Sequence, residues 1–284
     1  MRRRLAAILF LSVSLVSFRG AAAVTREFPF EFREGLLWVE VTTADSPRPL
    51  HFLLDTGAEV GVINLSTVKR LGLSLGQPVS VRSVETSTTG YWPEKLSLNA
   101  GAVALPSDCL ALDLSRLNRA CSRSVDGLIG ADFFRNRIVQ IDFEAGKIRL
   151  LTADEIRSGA RAITMESRRS GLCVMARIDG LGAQRFRVDT GCATALQWVT
   201  TSVSVKRDAG KLAIGLSELN IPQARTSVDL GIETFRDVPT GLHSEAIFDG
   251  ESGLVGNGLL SRFKSVTLDG ISSRLIFSDL RSSD

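Results

Sequence analysis

The feature that most constrains the fold of this chain is a pair of repeated segments. The segment FLLDTGA at residues 52–58 returns as FRVDTGC at residues 186–192. A second segment follows later in each half, DGLIGADFF at residues 126–134 and SGLVGNGLL at residues 252–260. Because the same two segments occur twice in the same order, we infer two copies of one domain-sized unit. Each DTG segment is predicted to be an apolar strand that runs into a turn at glycine.

The similarity between the halves continues to their ends. Residues 138–143 and 146–150 alternate between apolar and polar side chains, as the two strands of a hairpin do. Residues 265–269 and 273–277 repeat that pattern in the second half. The sequence therefore predicts that each copy of the unit ends in a β-hairpin.

The boundary between the copies is predicted in the polar, arginine-rich segment at residues 152–169. We accordingly expect a first lobe at residues 24–155 and a second lobe at residues 156–284. Short alternating strands dominate both lobes, so the predicted fold is all-β, in two similar lobes with a few short helices. The predicted elements include strands at 36–42 and 173–178 and helices at 66–71, 131–137, 153–158 and 259–263.

These repeats resemble those of the two-lobed aspartic proteases, the pepsin-like and retropepsin-like superfamily with its bacterial members. In that family each lobe supplies one Asp-Thr-Gly turn and a later hydrophobic-hydrophobic-Gly segment that braces it. Here the turns are residues 55–57 and 189–191, and the braces are LIG at residues 128–130 and LVG at residues 254–256. One such tripeptide arises easily by chance, whereas two copies in the same apolar frame do not. The resemblance covers nearly all of the chain after residue 23.

The resemblance implies a catalytic pair, Asp55 and Asp189. Two carboxyl groups within hydrogen-bonding distance hold one proton between them over a wide pH range, and the aspartic-protease pair is the standard case. One carboxyl group then acts as a base toward water and the other as an acid toward the peptide. The family also implies that Thr56 and Thr190 lock the two turns to the opposite lobes. Gly57 and Gly191 would offer backbone N–H groups to the carboxylates. No metal and no cofactor is implied.

Other aspartates are interpreted differently. An aspartate before a turn commonly caps its own backbone. For Asp55 or Asp189 taken alone, this structural interpretation would be about as well supported as a catalytic one. Asp142 and Asp269 occupy equivalent positions in the two terminal hairpins. We therefore expect these two residues to lie at turns or in solvent, without a catalytic role.

A flap over the substrate is a further family feature. The single tyrosine, Tyr91, lies between the first DTG and the first LIG, which is the interval for a flap hairpin. The alternative is an ordinary amphipathic aromatic residue at a strand edge. The surrounding sequence departs from the pepsin pattern, and no propeptide of the usual length is evident. Residues 24–34 are predicted to form the first strand.

The first 23 residues have the three parts of a secretory signal peptide. A basic start is followed by an apolar run of about 14 residues, short of the roughly 20 that span a membrane. Alanines at positions 21–23 fit a cleavage site. We therefore expect an exported protein, periplasmic or secreted, with no stable membrane anchor. Without the four arginines of this segment the chain has 30 basic and 31 acidic residues, a balance that does not indicate nucleic-acid binding.

Export would expose the four cysteines to an oxidising compartment. Cys109 and Cys121 flank a short segment and are the preferred disulfide, while Cys173 and Cys192 are a second, weaker pair. Four buried thiols are the alternative. With only two histidines, His51 and His243, and no close cysteine pair, a metal site is not predicted.

The sequence therefore predicts an exported aspartic endopeptidase that acts as a monomer on an extended peptide or protein substrate. The alternative is a peptide-binding protein that keeps the fold without turnover. A Ser-His-Asp enzyme would have to use His51 or His243, and no P-loop or dinucleotide-binding fingerprint is present. A homodimer of the retropepsin type is unnecessary because the chain carries both aspartates.

Overall fold

The structure is a computed structural model that describes residues 26–83, 86–157, 159–168, 171–200, 208–214 and 217–282. The predicted signal peptide at residues 1–23 lies outside these ranges. Within them, no helix is long and apolar enough to cross a membrane.

Strands make up most of the described structure, and the helices are short. The first half contains β1 Glu27–Pro29, β2 Glu31–Arg33, β3 Leu36–Val41, β4 Leu50–Leu54, β5 Val62–Asn64, β6 Leu75–Ser83, β7 Thr86–Pro93, β8 Asn99–Ala100, β9 Val103–Ala104, β10 Leu110–Leu112, β11 Gly127–Ile129, β12 Ile138–Asp142 and β13 Lys147–Leu151. The second half contains β14 Arg161–Arg168, β15 Gly171–Ile178, β16 Gln184–Asp189, β17 Leu196–Val199, β18 Asp208–Ile214, β19 Ser217–Asp229, β20 Thr234–His243, β21 Gly253–Gly256, β22 Ser265–Asp269 and β23 Arg274–Phe277. The α-helices are α1 Leu65–Arg70, α2 Ser115–Ala120 and α3 Asn257–Leu260, with 3-10 helices at Ala131–Phe134 and Ala153–Glu155.

Both halves have the same strand order. The first half is ordered β2-β3-β4-β11-β5-β10-β7-β6, and the second β14-β15-β16-β21-β17-β20-β19-β18. In each half the strand that leads into the DTG turn pairs in parallel with the strand of the later glycine segment, β4 with β11 and β16 with β21. The neighbouring pairs β5–β10 and β17–β20 are also parallel. The prediction of an all-β fold in two similar lobes is thus confirmed.

One continuous sheet joins the halves. Its strands run β1-β13-β12-β22-β23-β14, three from each half, and the halves meet where β12 pairs with β22. Strand β14 belongs to two layers, because Arg161–Thr164 pair with β23 and Met165–Arg168 pair with β15. The two predicted hairpins are therefore the parts of the repeat that hold the lobes together.

The hydrophobic core also extends across the junction between the two halves. A single large apolar cluster contains buried side chains from both halves, including the edge-on aromatic pairs Phe28–Phe133 and Phe235–Phe263. The short strands β11 and β21 are buried along their whole length. Because such strands are covered on both faces, their sequences are continuous apolar runs rather than alternations of apolar and polar residues.

The predicted helix at 131–137 is shorter than expected. It is a 3-10 helix, Ala131–Phe134, and Asn136 in the left-handed region at φ 55° turns the chain into β12. The predicted helix at 259–263 is α3, Asn257–Leu260, displaced toward the glycine segment. The predicted first strand is divided into β1 and β2, which join different sheets.

Candidate active site

The two DTG turns meet back to back between the halves and are joined by four hydrogen bonds. Thr56 Oγ1 donates to the carbonyl of Val188 at 2.7 Å and accepts from the backbone N–H of Thr190 at 3.0 Å. Thr190 Oγ1 donates to the carbonyl of Leu54 at 2.8 Å and accepts from the backbone N–H of Thr56 at 3.0 Å. Both threonines are completely buried. Each turn is therefore fixed by the opposite half of the chain.

The carboxyl groups of Asp55 and Asp189 lie together at this junction. The glycine of each turn lies against the carboxyl group of the opposite turn, and the two groups are close enough for the charge of Asp55 to affect the titration of Asp189. Asp55 Oδ1 accepts from the backbone N–H groups of Gly57 at 3.0 Å and Ala58 at 3.2 Å, and Asp189 Oδ1 accepts from Gly191 at 2.8 Å. The chain thus brings together two carboxyl groups that are 134 positions apart in sequence.

Glycine is required in both turns because each turn touches the opposite carboxyl group. A side-chain carbon added to Gly57 would lie 2.6 Å from Asp189 Oδ1, and one added to Gly191 would lie 2.4 Å from Asp55 Oδ1. Both distances are far below van der Waals contact. The turn of one half therefore forms part of the wall around the carboxyl group of the other half.

The strands of the later repeat segments, β11 and β21, pair with the strands that lead into the two aspartates, β4 and β16. Leu54 pairs with Ile129 in parallel, and the N–H of Asp55 donates to the carbonyl of Ile129 at 2.9 Å. In the second half, Val188 pairs with Val255 and Asp189 with Gly256. The strands of both segments are buried, so each aspartate projects from a rigid support.

Burial raises the pKa of both aspartates above the ordinary carboxyl range. For Asp189 the negative charge of Asp55 raises the pKa further. The backbone N–H groups that bond to each carboxylate, and the positive charge of Arg187, act in the opposite direction. The pair consequently retains one proton at a pH at which isolated carboxyl groups have lost theirs.

This raised pKa predicts a cost to stability at neutral pH. Between the ordinary carboxyl value of 3.8 and its raised value, folded Asp189 holds a proton that the unfolded chain has lost. The free energy of unfolding should therefore fall as pH rises through that window. Asp189→Asn removes this contribution, so the variant should gain stability relative to the parent as pH increases from about 4 to 8. Denaturant unfolding at intervals of pH measures the difference, and a constant difference across the range would refute the prediction.

The predicted flap segment forms a hairpin, but Tyr91 lies far from its turn. Strands β6 and β7 pair with each other, and the turn between them, residues 84–85, lies outside the described residues. Tyr91 pairs with Pro78 and Ala111 and packs against the large core cluster at the base of the hairpin. Val79 and Val81, nearer the turn, contact an apolar cluster of the first half. A gating role for Tyr91 stays a prediction.

The second half has an equivalent hairpin that the sequence did not reveal. Strands β18 and β19 pair over Asp208–Ile214 and Ser217–Gln223, and they occupy the sheet edge that β6 and β7 occupy in the first half. Its turn, residues 215–216, lies outside the described residues. The two sheets therefore carry corresponding edge hairpins.

The predicted disulfides are not formed in this structure, in which Cys109 and Cys121 are both free. Cys109 is buried in the large core cluster, with its Sγ 3.8 Å from the carbonyl of Pro106, whereas Cys121 packs against a different cluster. Burial raises the pKa of the Cys109 thiol to about 12 and that of Cys121 to about 11.

The predicted Cys173–Cys192 disulfide is not formed, and the register of β15 and β16 explains why. Cys173 lies opposite Arg187 across β15 and β16, while Cys192 lies beyond the DTG turn. Cys173 Sγ is 3.5 Å from Glu251 Oε1, and Cys192 Sγ is 3.2 Å from Thr194 Oγ1. None of the four cysteines is disulfide-bonded in this structure.

The remaining polar candidates have structural roles. His243 is buried and its Nε2 lies 2.8 Å from Gln197 Oε1. Asp142 accepts from the N–H of Ala145, and Asp269 accepts from the N–H groups of Ile271 and Ser272, so both cap their hairpin turns as expected. In the part of the chain that the structure describes, no three His, Cys, Asp or Glu side chains are grouped closely enough to hold a metal ion.

Sequence analysis missed one residue beside the carboxyl pair. Arg187 is 1% exposed, and its Nη1 donates to the carbonyl of Gly57 at 3.0 Å. The sequence contained a signal for it, because Arg187 stands two positions before Asp189, where the first repeat has the apolar Leu53.

Comparisons with known proteins agree with this architecture. Residues 39–133 match a family model described as aspartyl protease. The structure is similar to the crystal structure of aspartic proteinase from Irpex lacteus, with a TM-score of 0.56 and 14% sequence identity over 89% of this chain and 97% of that one. No curated protein matched the sequence. The chain therefore has the two-lobed aspartic protease fold, as its repeats indicated.

Proposed function

We propose that this protein is an aspartic endopeptidase whose catalytic pair is Asp55 and Asp189. The observation that carries the proposal is the close approach of two carboxyl groups, one from each half, with Asp189 buried and Asp55 half-buried. Their turns are locked to each other by Thr56 and Thr190. Burying two such groups together opposes folding. The arrangement is explained by a reaction that needs an acid and a base at the same point.

The proposed reaction is hydrolysis of a peptide bond by water. The ionised member of the pair takes a proton from a water molecule as the water oxygen attacks the peptide carbonyl carbon. The protonated member donates a hydrogen bond to the carbonyl oxygen, on which negative charge develops. Collapse of the tetrahedral species breaks the C–N bond, and a proton from the pair reaches the leaving nitrogen. The pair returns to its singly protonated state.

The proposed substrate is an extended peptide or an unfolded protein segment. The carboxyl pair lies between two sheets that each end in a hairpin, β6–β7 and β18–β19, whose outer strands are at sheet edges. Strand edges bind extended peptides through backbone hydrogen bonds. Both aspartates come from one chain, which supports action as a monomer. The sequence of residues 1–23 supports export to the periplasm or the medium.

Peptide cleavage tests the proposal directly. Residues 24–284 would be incubated with a mixed pool of unfolded peptides from about pH 3 to pH 8, a range that spans carboxyl titration, and the products read by mass spectrometry. Cleavage at internal bonds by the parent, and its loss in Asp55→Asn and Asp189→Asn, is the expected result. Circular dichroism would establish that each protein is folded.

The alternative is a peptide-binding protein that keeps the fold without turnover. It predicts that the folded parent cleaves nothing in the pool but is stabilised against heat by some of the same peptides. That result would overturn the proposed catalysis.

A further inference from the structure

The two halves differ in charge at two pairs of equivalent positions near the carboxyl groups. In the aligned repeats Leu53 corresponds to Arg187, and Val125 corresponds to Glu251. Leu53 and Val125 are buried in the same apolar cluster of the first half. Arg187 and Glu251 are buried to a similar extent and form an ion pair. The second half thus has two opposite charges where the first half has two apolar side chains.

The ion pair has a well-defined geometry. Arg187 Nε donates to Glu251 Oε2 at 2.8 Å, and Nη2 donates to Glu251 Oε1 at 2.7 Å. The guanidinium carbon lies 3.5 Å from the ring centroid of Phe248, which covers one face of the group. A side-chain carbon on Gly171 would lie 2.8 Å from the guanidinium carbon. Glycine at this position therefore makes room for the guanidinium.

The Nη1 atom of the guanidinium faces the catalytic junction. Arg187 and Asp189 are two residues apart on β16, so their side chains project from the same face of the strand. Arg187 Nη1 donates to the carbonyl of Gly57 at 3.0 Å, a bond from the second half to the first turn. The N–H of Ala58, which belongs to the same peptide group as this carbonyl, donates to Asp55 at 3.2 Å. Gly57 itself lies against the carboxyl group of Asp189. One peptide group therefore separates the guanidinium from the carboxyl group of Asp55, and Gly57 lies between the guanidinium and Asp189.

Stability alone does not account for this pair. A buried ion pair commonly contributes no more to stability than apolar residues of similar volume, and the first half of this chain contains such residues. We propose that Arg187 is a positioning residue, which ties the first DTG turn to the second half and holds a positive charge beside the carboxyl pair, while Glu251 fixes its guanidinium. This inference rests on the proposed function.

Other titratable groups lie near the positive charge of Arg187. Glu251 faces Arg187 from the segment before β21, Cys173 faces Glu251 from β15, and Cys192 lies beyond the second turn. The pKa of each of these two thiols is raised to about 12, so neither is charged in the pH range of interest. Among these groups, Arg187 is the cation adjacent to the carboxyl pair, and its charge lowers the pKa of both aspartates.

Two variants with opposite expected effects test the proposal. Arg187→Leu/Glu251→Val gives the second half the residues of the first, so it removes the cation without leaving an unpaired charge. The acid limb of the pH profile of kcat/KM should then move up by about one pH unit, because the singly ionised pair loses its favourable charge. Glu251→Gln keeps the cation and removes its counter-charge, and the acid limb should move down by a similar amount. Arg185→Met, in the same strand but bonded to Glu166 and Gly250, is the matched control and should leave the profile unchanged.

If Arg187 had only a structural role, the variants would lose activity at every pH and the acid limb of the pH profile would not move. An unmoved limb in both variants, or movement in the same direction, would overturn the proposal. Denaturant unfolding over the same pH range, with and without Asp189→Asn, supplies a second measurement that needs no turnover. The pH window in which Asp189→Asn changes stability should move up in the double variant and down in Glu251→Gln. If the parent cleaves no peptide while these windows move, the proposed function fails and the role of Arg187 stands.

Discussion

Replacing either Asp55 or Asp189 with asparagine is expected to lower kcat/KM by a factor of about 10²–10⁴, the usual contribution of a positioned acid or base. Asparagine has nearly the same shape, but it cannot take a proton from water or exchange one with its neighbour. The two replacements act on one unit, so the double variant should lose little more than either single variant. Initial rates on a peptide cleaved by the parent measure the loss.

The matched control is Asp142→Asn. Asp142 occupies a hairpin turn, accepts from Ala145 and Arg149, and makes no contact with the carboxyl pair among the bonds described. Its replacement should change kcat/KM by less than about twofold, as is usual for a substitution away from the site. Retention of most activity in Asp55→Asn or Asp189→Asn, with the control also active, would exclude the proposed mechanism.

Replacing Thr56 with valine should lower the free energy of unfolding by about 2–6 kcal/mol. The valine has the same shape as threonine but leaves two buried groups without partners, the carbonyl of Val188 and the N–H of Thr190. Each such group costs about 1–3 kcal/mol. Activity should fall with stability, because the first turn is no longer fixed to the second half. Denaturant unfolding curves, fitted with one m-value common to the parent and the variant, give the free energy of unfolding.

Thr56→Ser is the control for this prediction. It keeps the hydroxyl group and removes only a methyl group, so it should cost about 1 kcal/mol. Equal losses in the valine and serine variants would show that the methyl group, rather than the hydrogen bonds between the turns, supports the junction.

The fold was predictable because the repeats fix the order of the strands. The apolar run before each DTG and the glycine segment after it are long-range partners, and their duplication predicts two similar sheets. The structure agrees at the level of individual pairs, since Leu54 lies beside Ile129 and Val188 beside Val255. A hairpin at the end of each half was also predicted, from its alternating side chains, whereas the pairing of the two hairpins through β12 and β22 was not.

Features that depend on register and side-chain contact were not predictable from spacing. Cys109 and Cys121 are close in sequence but pack against different clusters. Cys173 faces Arg187 because β15 and β16 pair with a register that the sequence does not specify. The partner of Arg187 lies 64 positions away in the segment before β21. Such contacts follow from the arrangement of strands in space, which composition and periodicity do not determine.

Mixing the two inactive variants tests the central claim most directly, that one chain supplies both members of a single catalytic pair. Asp55→Asn and Asp189→Asn would be combined in equal amounts, refolded together from denaturant, and assayed on the peptide that the parent cleaves. We expect no activity above that of either variant alone, because every chain carries one asparagine in its own pair. Recovery of a substantial fraction of the parent's activity would show that the site forms between chains and would contradict the account.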